Sequence, residues 1–258
     1  MKKTLAIFAM CAALVAGLAL AGCSSSKSTE DLGLLTPGKL TVATSPDYPP
    51  FENLEGDEVV GFEVDLWNAI GEKMGLEIEV VSMQFDAIIP AVVAGGKCDV
   101  GISGFSYLPE RAEQVDFTES YFVDNQGVAV MKDSGIAAPA DLNKEGMKIA
   151  VQTGTTGESW AQENYPNAQV IGFGNSNDCF AAMQSGKANA VCTNLTVVEA
   201  MLADAYSDAT VIDQSATGEE YSMIVSKDNP ELLAALNDVI AELQKDGTID
   251  ELASKWFQ

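Results

Sequence analysis

The 258-residue chain carries 38 acidic residues against 14 basic ones, a net charge of −24, and no histidine. That balance repels polyanions and excludes nucleic acid as a partner, while the missing imidazole removes Ser-His-Asp and Cys-His catalysis and the commonest transition-metal ligand. No CxxC spacing is present for a zinc site, so neither a metal nor a cofactor is expected.

Lys2 and Lys3 precede an apolar stretch, Leu5 to Leu20, too short and too abruptly ended to span a bilayer comfortably. Residues 1–22 therefore read as a signal peptide. The stretch closes on Leu20-Ala21-Gly22-Cys23, which resembles the lipobox of bacterial lipoproteins. That resemblance implies a lipidated Cys23 as the first mature residue, hence an extracytoplasmic protein anchored to the cell membrane. Cleavage there removes two lysines and no acid, taking the charge from −24 to −26. Residues 23–36, polar and serine-rich at their start, are expected to form a flexible tether.

Strands and helices then alternate, the pattern of an α/β protein. A strand is predicted over Lys39–Thr44, followed by the proline-stiffened loop Ser45-Pro46-Asp47-Tyr48-Pro49-Pro50-Phe51-Glu52. Its aromatic pair suits a wall against which a ligand stacks, with a merely packed loop as the alternative. Leu66, Trp67, Ile70 and Met74 fall at helical spacing within Glu63–Met74. A strand over Glu77–Val81, a helix over Asp86–Ala94 stopped by Gly95-Gly96, and a strand over Cys98–Ile102 come next. That strand runs into Ser103-Gly104-Phe105-Ser106-Tyr107-Leu108-Pro109-Glu110-Arg111. Arg111 is the chain's single arginine beside thirteen lysines. A planar guanidinium donates two parallel hydrogen bonds to a carboxylate, which an ammonium cannot, so Arg111 is the candidate carboxylate clamp.

A second unit repeats the plan, with strands over Lys148–Gln152, Gln169–Phe173 and Ala188–Thr193 and helices from Thr156 and over Asp178–Gln184. Gly95-Gly96-Lys97-Cys98 and Ser185-Gly186-Lys187-Ala188 give the two units the same helix, Gly-Lys turn and strand ending. Two lobes of one design imply a cleft between them, where small ligands favour binding. The loop Gln152-Thr153-Gly154-Thr155-Thr156-Gly157-Glu158 opens a helix and offers free N–H groups and hydroxyls to an anion. No Gly-Lys-Ser/Thr ends it, so it is not a phosphate-binding P-loop. A carboxylate held between Arg111 and Thr156 would draw the lobes together.

After a strand over Tyr221–Val225, Asn229-Pro230-Glu231 opens a helix running to about Lys245, and Ile249–Phe257 forms a last short one. These segments are expected to return to the first lobe. Lobe 1 is then 37–126 with 222–258 and lobe 2 is 127–221, with two crossings near Asn125–Gly127 and Gly218–Tyr221. Cys98, Cys179 and Cys192 are left in the mature chain. Cys98 reads as a buried free thiol. Cys179 and Cys192 fall at the same end of one helix–strand unit, where either a disulfide or two core thiols would fit.

Taken in order, Tyr48 to Glu52, Gly61-Phe62-Glu63-Val64-Asp65-Leu66, Phe85 to Pro90, Ser103 to Arg111, Gly154 to Gly157, Asp246-Gly247-Thr248 and Lys255-Trp256-Phe257 resemble the family 3 extracellular solute-binding proteins, the amino-acid receptors of ABC importers. The likeness runs from Leu40 to Phe257. It implies the type II periplasmic-binding-protein-like fold, with a two-crossing hinge and an interlobe ligand cleft. It also implies that Arg111 binds a ligand α-carboxylate with help from Thr156 and the adjoining Thr155. By the same resemblance Ser103, Gly104 and Ser106 supply hydroxyl and backbone groups, and Tyr48 and Phe85 wall in the side chain. Asp65 matches an acid read as structural.

Asn194 departs from the pattern, standing where the family usually pairs an aspartate with the ligand ammonium. An amide offers a carbonyl acceptor without charge, at a loss of ~1.5–3 kcal/mol. Asn189 likewise replaces a strand acid, and Ser45 gives no support for a lysine- or arginine-type ligand. The expectation is a monomeric, lipid-anchored receptor that closes on a polar or neutral amino acid and delivers it to a membrane permease, without catalysis. Its rivals are an exported dehydratase-like enzyme on the same fold and a sensory solute receptor.

Overall fold

The computed structural model describes residues 32–257; the segment read as a signal peptide, Cys23 and most of the expected tether lie outside the described residues. The first sheet opens with β1 (Lys39–Thr44), buried from Leu40 onward. β2 (Asp47–Tyr48), β3 (Glu52–Glu55) and β4 (Glu58–Val60) then fold the aromatic loop into a small antiparallel sheet. α1 (Phe62–Met74) buries Phe62, Leu66, Trp67 and Ile70 on one face, each contributing roughly 1.5–3 kcal/mol. It ends at Gly75, whose left-handed backbone lets its N–H reach the last-turn carbonyls. At its start, a Cβ on Gly61 would lie 2.0 Å from the Phe51 carbonyl oxygen, so only glycine lets helix and loop meet.

β5 (Glu77–Ser82), α2 (Phe85–Ala94), β6 (Val100–Gly101), α3 (Pro109–Ala112) and β7 (Val115–Phe117) follow. β6 pairs over less than the predicted Cys98–Ile102, although Asp99 and Ile102 still donate their N–H groups to Thr41 and Ala43. The second sheet begins with β8 (Phe122–Met131), then α4 (Pro139–Leu142), β9 (Lys148–Gln152), α5 (Thr156–Asn164), β10 (Gln169–Phe173), α6 (Ser176–Gln184), β11 (Ala190–Asn194), α7 (Leu195–Asp204) and β12 (Ala209–Tyr221). β13 (Ile224–Ser226), α8 (Pro230–Lys245) and α9 (Thr248–Trp256) complete the chain.

The two five-stranded sheets, β5-β1-β6-β13-β7 and β10-β9-β11-β8-β12, share one plan: three parallel strands, then one antiparallel strand, then a fifth that runs with the first three. This is a mixed α/β, two-lobed fold. The chain passes between the sheets after β7 and again between β12 and β13, so the strand predicted over Tyr221–Val225 is divided. α8 is capped by the Asn229 side chain, which accepts from the Leu232 N–H, and buries Leu232, Leu236, Ile240 and Leu243. Asp65 accepts from Lys255 Nζ and Trp256 Nε1, both at 2.6 Å, tying α9 to α1.

All three cysteines of the described residues are buried free thiols, so Cys179 and Cys192 are not bridged. Their side chains bond in different directions, Cys179 to the Asn175 carbonyl and Cys192 to Gln126. Among the described residues no helix is long and apolar enough to cross a membrane.

Candidate functional site

Tyr48, Phe85, Ser103, Gly104, Arg111, Thr155, Thr156 and Asn194, eight of the nine residues proposed from sequence, line one cavity between the sheets. Its free space is about 10 Å³, room for roughly one water, so the cleft is drawn shut. Ser106, the ninth, does not line it; its hydroxyl donates to Glu219 and its carbonyl accepts from Arg111.

Arg111 comes from α3, which Pro109 opens, and is 5 % exposed. The guanidinium carbon lies 5.4 Å from the Phe85 ring centre and 5.7 Å from that of Phe105, and the two rings stack 4.7 Å apart. One amino group donates to the Ser106 carbonyl at 2.8 Å; the other crosses the cleft to the Gly154 carbonyl at 2.9 Å. Burial lowers the guanidinium's pKa and nearby Glu219 opposes that shift. Two anchored amino groups fix the plane of the fork, and the remaining N–H donors suit a carboxylate.

The loop before Arg111 rests on a buried acidic pair. Ser103 donates to Glu52 at 2.6 Å, while the Gly104 N–H and the Tyr121 hydroxyl both donate to one oxygen of Glu63. The other oxygen of each glutamate has no further partner, which a proton shared between the two carboxyls would satisfy. Burial beside Glu63 holds the Glu52 carboxyl well above the usual range, and burial raises Glu63 as well. Gly104 turns in the left-handed region, where a Cβ would press to 3.1 Å from the Tyr48 ring. The Ser103 hydroxyl is thus committed to Glu52, and this loop faces the cleft mainly with backbone.

On the other side Thr155 caps α5, accepting from the Glu158 N–H and donating to the Gln152 carbonyl, so its hydroxyl also has a structural task. Thr156 faces the cleft. Asn194 closes β11 and accepts a hydrogen bond from the Tyr48 hydroxyl, which in turn accepts from Thr193. Asp47, also buried, receives Ser45, Gln152 and the Ser176 N–H, so it too bridges the halves. Burial pushes its carboxyl up against the effect of those bonds.

Sequence reasoning missed Glu219. It lies on β12 beyond a register shift between Ser215 and Glu219. One of its oxygens accepts from Ser106 at 2.5 Å, Thr156 at 2.7 Å and Asn194 at 3.2 Å. The other accepts from Gln126 at 2.6 Å and Thr217 at 3.2 Å. Asp47 and Gln152 stood inside segments already singled out, but no local signal marks Glu219.

The sequence profile of the bacterial extracellular solute-binding proteins, family 3, matches residues 40–258. The arginine-binding extracellular protein ArtP of Bacillus subtilis (strain 168) is 33% identical over 250 residues, covering 93% of this chain and 92% of that protein. An ancestral arginine-binding protein bound to glutamine superposes with a TM-score of 0.80 at 37% identity, over 86% of this chain and 99% of that one. An ancestral amino acid-binding protein described as a precursor of cyclohexadienyl dehydratase gives 0.79 at 37% identity, over 86% and 96%.

Proposed function

The chain belongs to the bacterial extracellular solute-binding proteins of family 3, and from that membership we propose that it is the substrate-binding lipoprotein of an ABC importer. It captures a small carboxylate-bearing solute, a polar or neutral amino acid, by lobe closure and hands the closed complex to a membrane permease. The observation that carries this reading is the Arg111 guanidinium, set beside two stacked aromatic rings, anchored to the Ser106 carbonyl and joined across the cleft to the carbonyl of Gly154, two residues before Thr156. A ligand carboxylate seated on Arg111 and Thr156 would contact both lobes, so binding favours the closed state.

In this reading Ser106 and Gly104 complete the seat, Tyr48 and Phe85 flank the side chain, and Cys23 carries the lipid anchor of a monomer. The lobes divide into 37–126 with 222–258 and 127–221. A thermal-shift panel of the common L-amino acids and L-cystine tests it, since a ligand at 100 times its Kd stabilises by ~2.7 kcal/mol. No shift with any of them, together with turnover of prephenate or arogenate, would replace the receptor reading with a dehydratase.

One observation favours a second reading, a cationic amino acid: the Asp47 carboxylate lines the cavity, and ArtP is named for arginine. Against it, both oxygens of Asp47 already accept hydrogen bonds, so a guanidinium or ammonium would have to displace Gln152. The same panel separates the readings.

A further inference from the structure

We propose that Glu219 supplies the negative charge that pairs with the ligand's α-ammonium, which makes it the residue that distinguishes amino acids from other small carboxylates. This rests on the amino-acid reading above. An ammonium brought into a closed, largely dry cleft needs an anion beside it. Asn194 offers none. Its carbonyl oxygen is taken by the Tyr48 hydroxyl and its amide group donates to Glu219. Asp47 is enclosed by Ser45, Gln152 and Ser176.

Glu219 is different. Five donors reach it and every one is neutral, from Ser106, Thr156, Asn194, Gln126 and Thr217. Among the described residues it makes no ion pair; the nearby Arg111 directs two of its donors to carbonyls instead. Three of the five donors converge on one carboxylate oxygen, and two of them, Thr156 and Asn194, line the cavity, which puts that oxygen one hydrogen bond behind its wall. The Ser106 and Thr156 hydroxyls can rotate from donating to Glu219 to accepting from an ammonium, while the carboxylate keeps the amides of Gln126 and Asn194. Glu219 directly follows a register shift in β12, an irregularity of the kind found beside sites.

The test is calorimetry on the full-length chain in detergent. The titrants are the panel amino acid that binds the wild type tightest and its desamino counterpart, the same molecule with hydrogen in place of the α-ammonium. Glu219→Gln, nearly isosteric, is expected to weaken the amino acid 10- to 100-fold and the desamino acid less than threefold. Adding Asn194→Asp to Glu219→Gln returns a charge to the same corner and should recover most of the loss; that rescue also answers the objection that the single variant is misfolded. Equal losses for both ligands would reduce Glu219 to a positioning residue for Ser106 and Thr156 and overturn the proposal. Unchanged or tighter binding would overturn it too, showing that the carboxylate only plugs the cleft. A wild type that binds no panel member sinks the receptor reading itself, a result distinct from these.

Discussion

The half of the cleft built on the first sheet holds a fixed cation, Arg111, on a loop whose polar atoms are pinned from beneath by Glu52 and by Glu63, the latter itself held by the Tyr121 hydroxyl. The half built on the second sheet offers hydroxyls and amides, from Thr156, Gln126 and Asn194, gathered around one carboxylate on a long irregular strand. The first half is preorganised, since its side chains have little freedom left to lose when a ligand arrives. The second half can exchange hydrogen-bond partners at low cost. In the receptor reading proposed above, carboxylate capture would fall to the first half, and recognition of the amine and closure to the second.

The sharpest way to break that division is Arg111→Lys. A point charge cannot reproduce the fork, and losing one member of a desolvated charged contact costs ~2–5 kcal/mol of affinity. Calorimetry with the tightest-binding amino acid reads it. A loss of only a few-fold would mean that the carboxylate sits elsewhere and that the preorganised half is scaffold alone.

The buried acids beneath the loop give a somewhat smaller effect, with a definite sign. Glu52 and Glu63 both have folded pKa values raised above the ordinary 4.5. As pH rises from 4.5 toward those values the unfolded chain releases protons that the folded chain keeps, so their contribution to stability is full below 4.5 and falls across that window. Asp47 and Asp124, also raised by burial, act in the same direction. Glu52→Gln keeps an acceptor for Ser103 and offers Glu63 a permanent donor. It should flatten the decline and stabilise the protein at pH 8 by ~1–3 kcal/mol. Urea denaturation at pH 5 and pH 8 checks this, and an unchanged pH slope would show that the pair does not share a proton.

Much of this was legible in the sequence wherever the signal is local. β1, β9 and β10 fall on their predicted bounds, because short apolar runs end at turn residues. α8 does so through its Asn229-Pro230 start. Arg111 stood out because it has no other arginine to hide among. What was missed is held by distant partners. β12 is rich in acids, amides and hydroxyls and twice out of register, which erases the alternation that marks a strand. Glu219 meets Gln126 across 93 residues and Thr156 across 63. Nothing local marks Glu52 and Glu63 for burial, and the donors that make it tolerable, Ser103 for the first and Gly104 and Tyr121 for the second, lie 51, 41 and 58 residues away.

A smaller effect is expected from Asn194→Asp alone, and it sharpens the assignment of roles within the second half. The new carboxylate would attract a ligand ammonium, but it loses the donor that Asn194 now gives to Glu219 and sets two acids side by side. These effects oppose one another, leaving a net change within ~1 kcal/mol. Calorimetry showing tenfold tighter binding would mean that the corner lacked an anion and that Glu219 faces away from the ammonium.

The smallest expected effect is that of a reductant, and it compares the cores behind the two halves. Cys98 packs behind the first half, and Cys179 and Cys192 belong to two separate clusters, all three buried as thiols. Burial pushes the Cys98 thiol up to about 11 and raises those of Cys179 and Cys192 too. A dry thiol is a poor nucleophile, so Ellman's reagent at pH 8 should react slowly with the native protein. Under denaturant, a variant lacking Cys11 and Cys23 should show three free thiols without prior reduction. Its Tm should be the same with and without dithiothreitol, whereas a Cys179–Cys192 bridge would contribute ~2–4 kcal/mol and lower the Tm on reduction. Finding a single free thiol would show that the second half is cross-linked, and stiffer than its neutral hydrogen bonds alone imply.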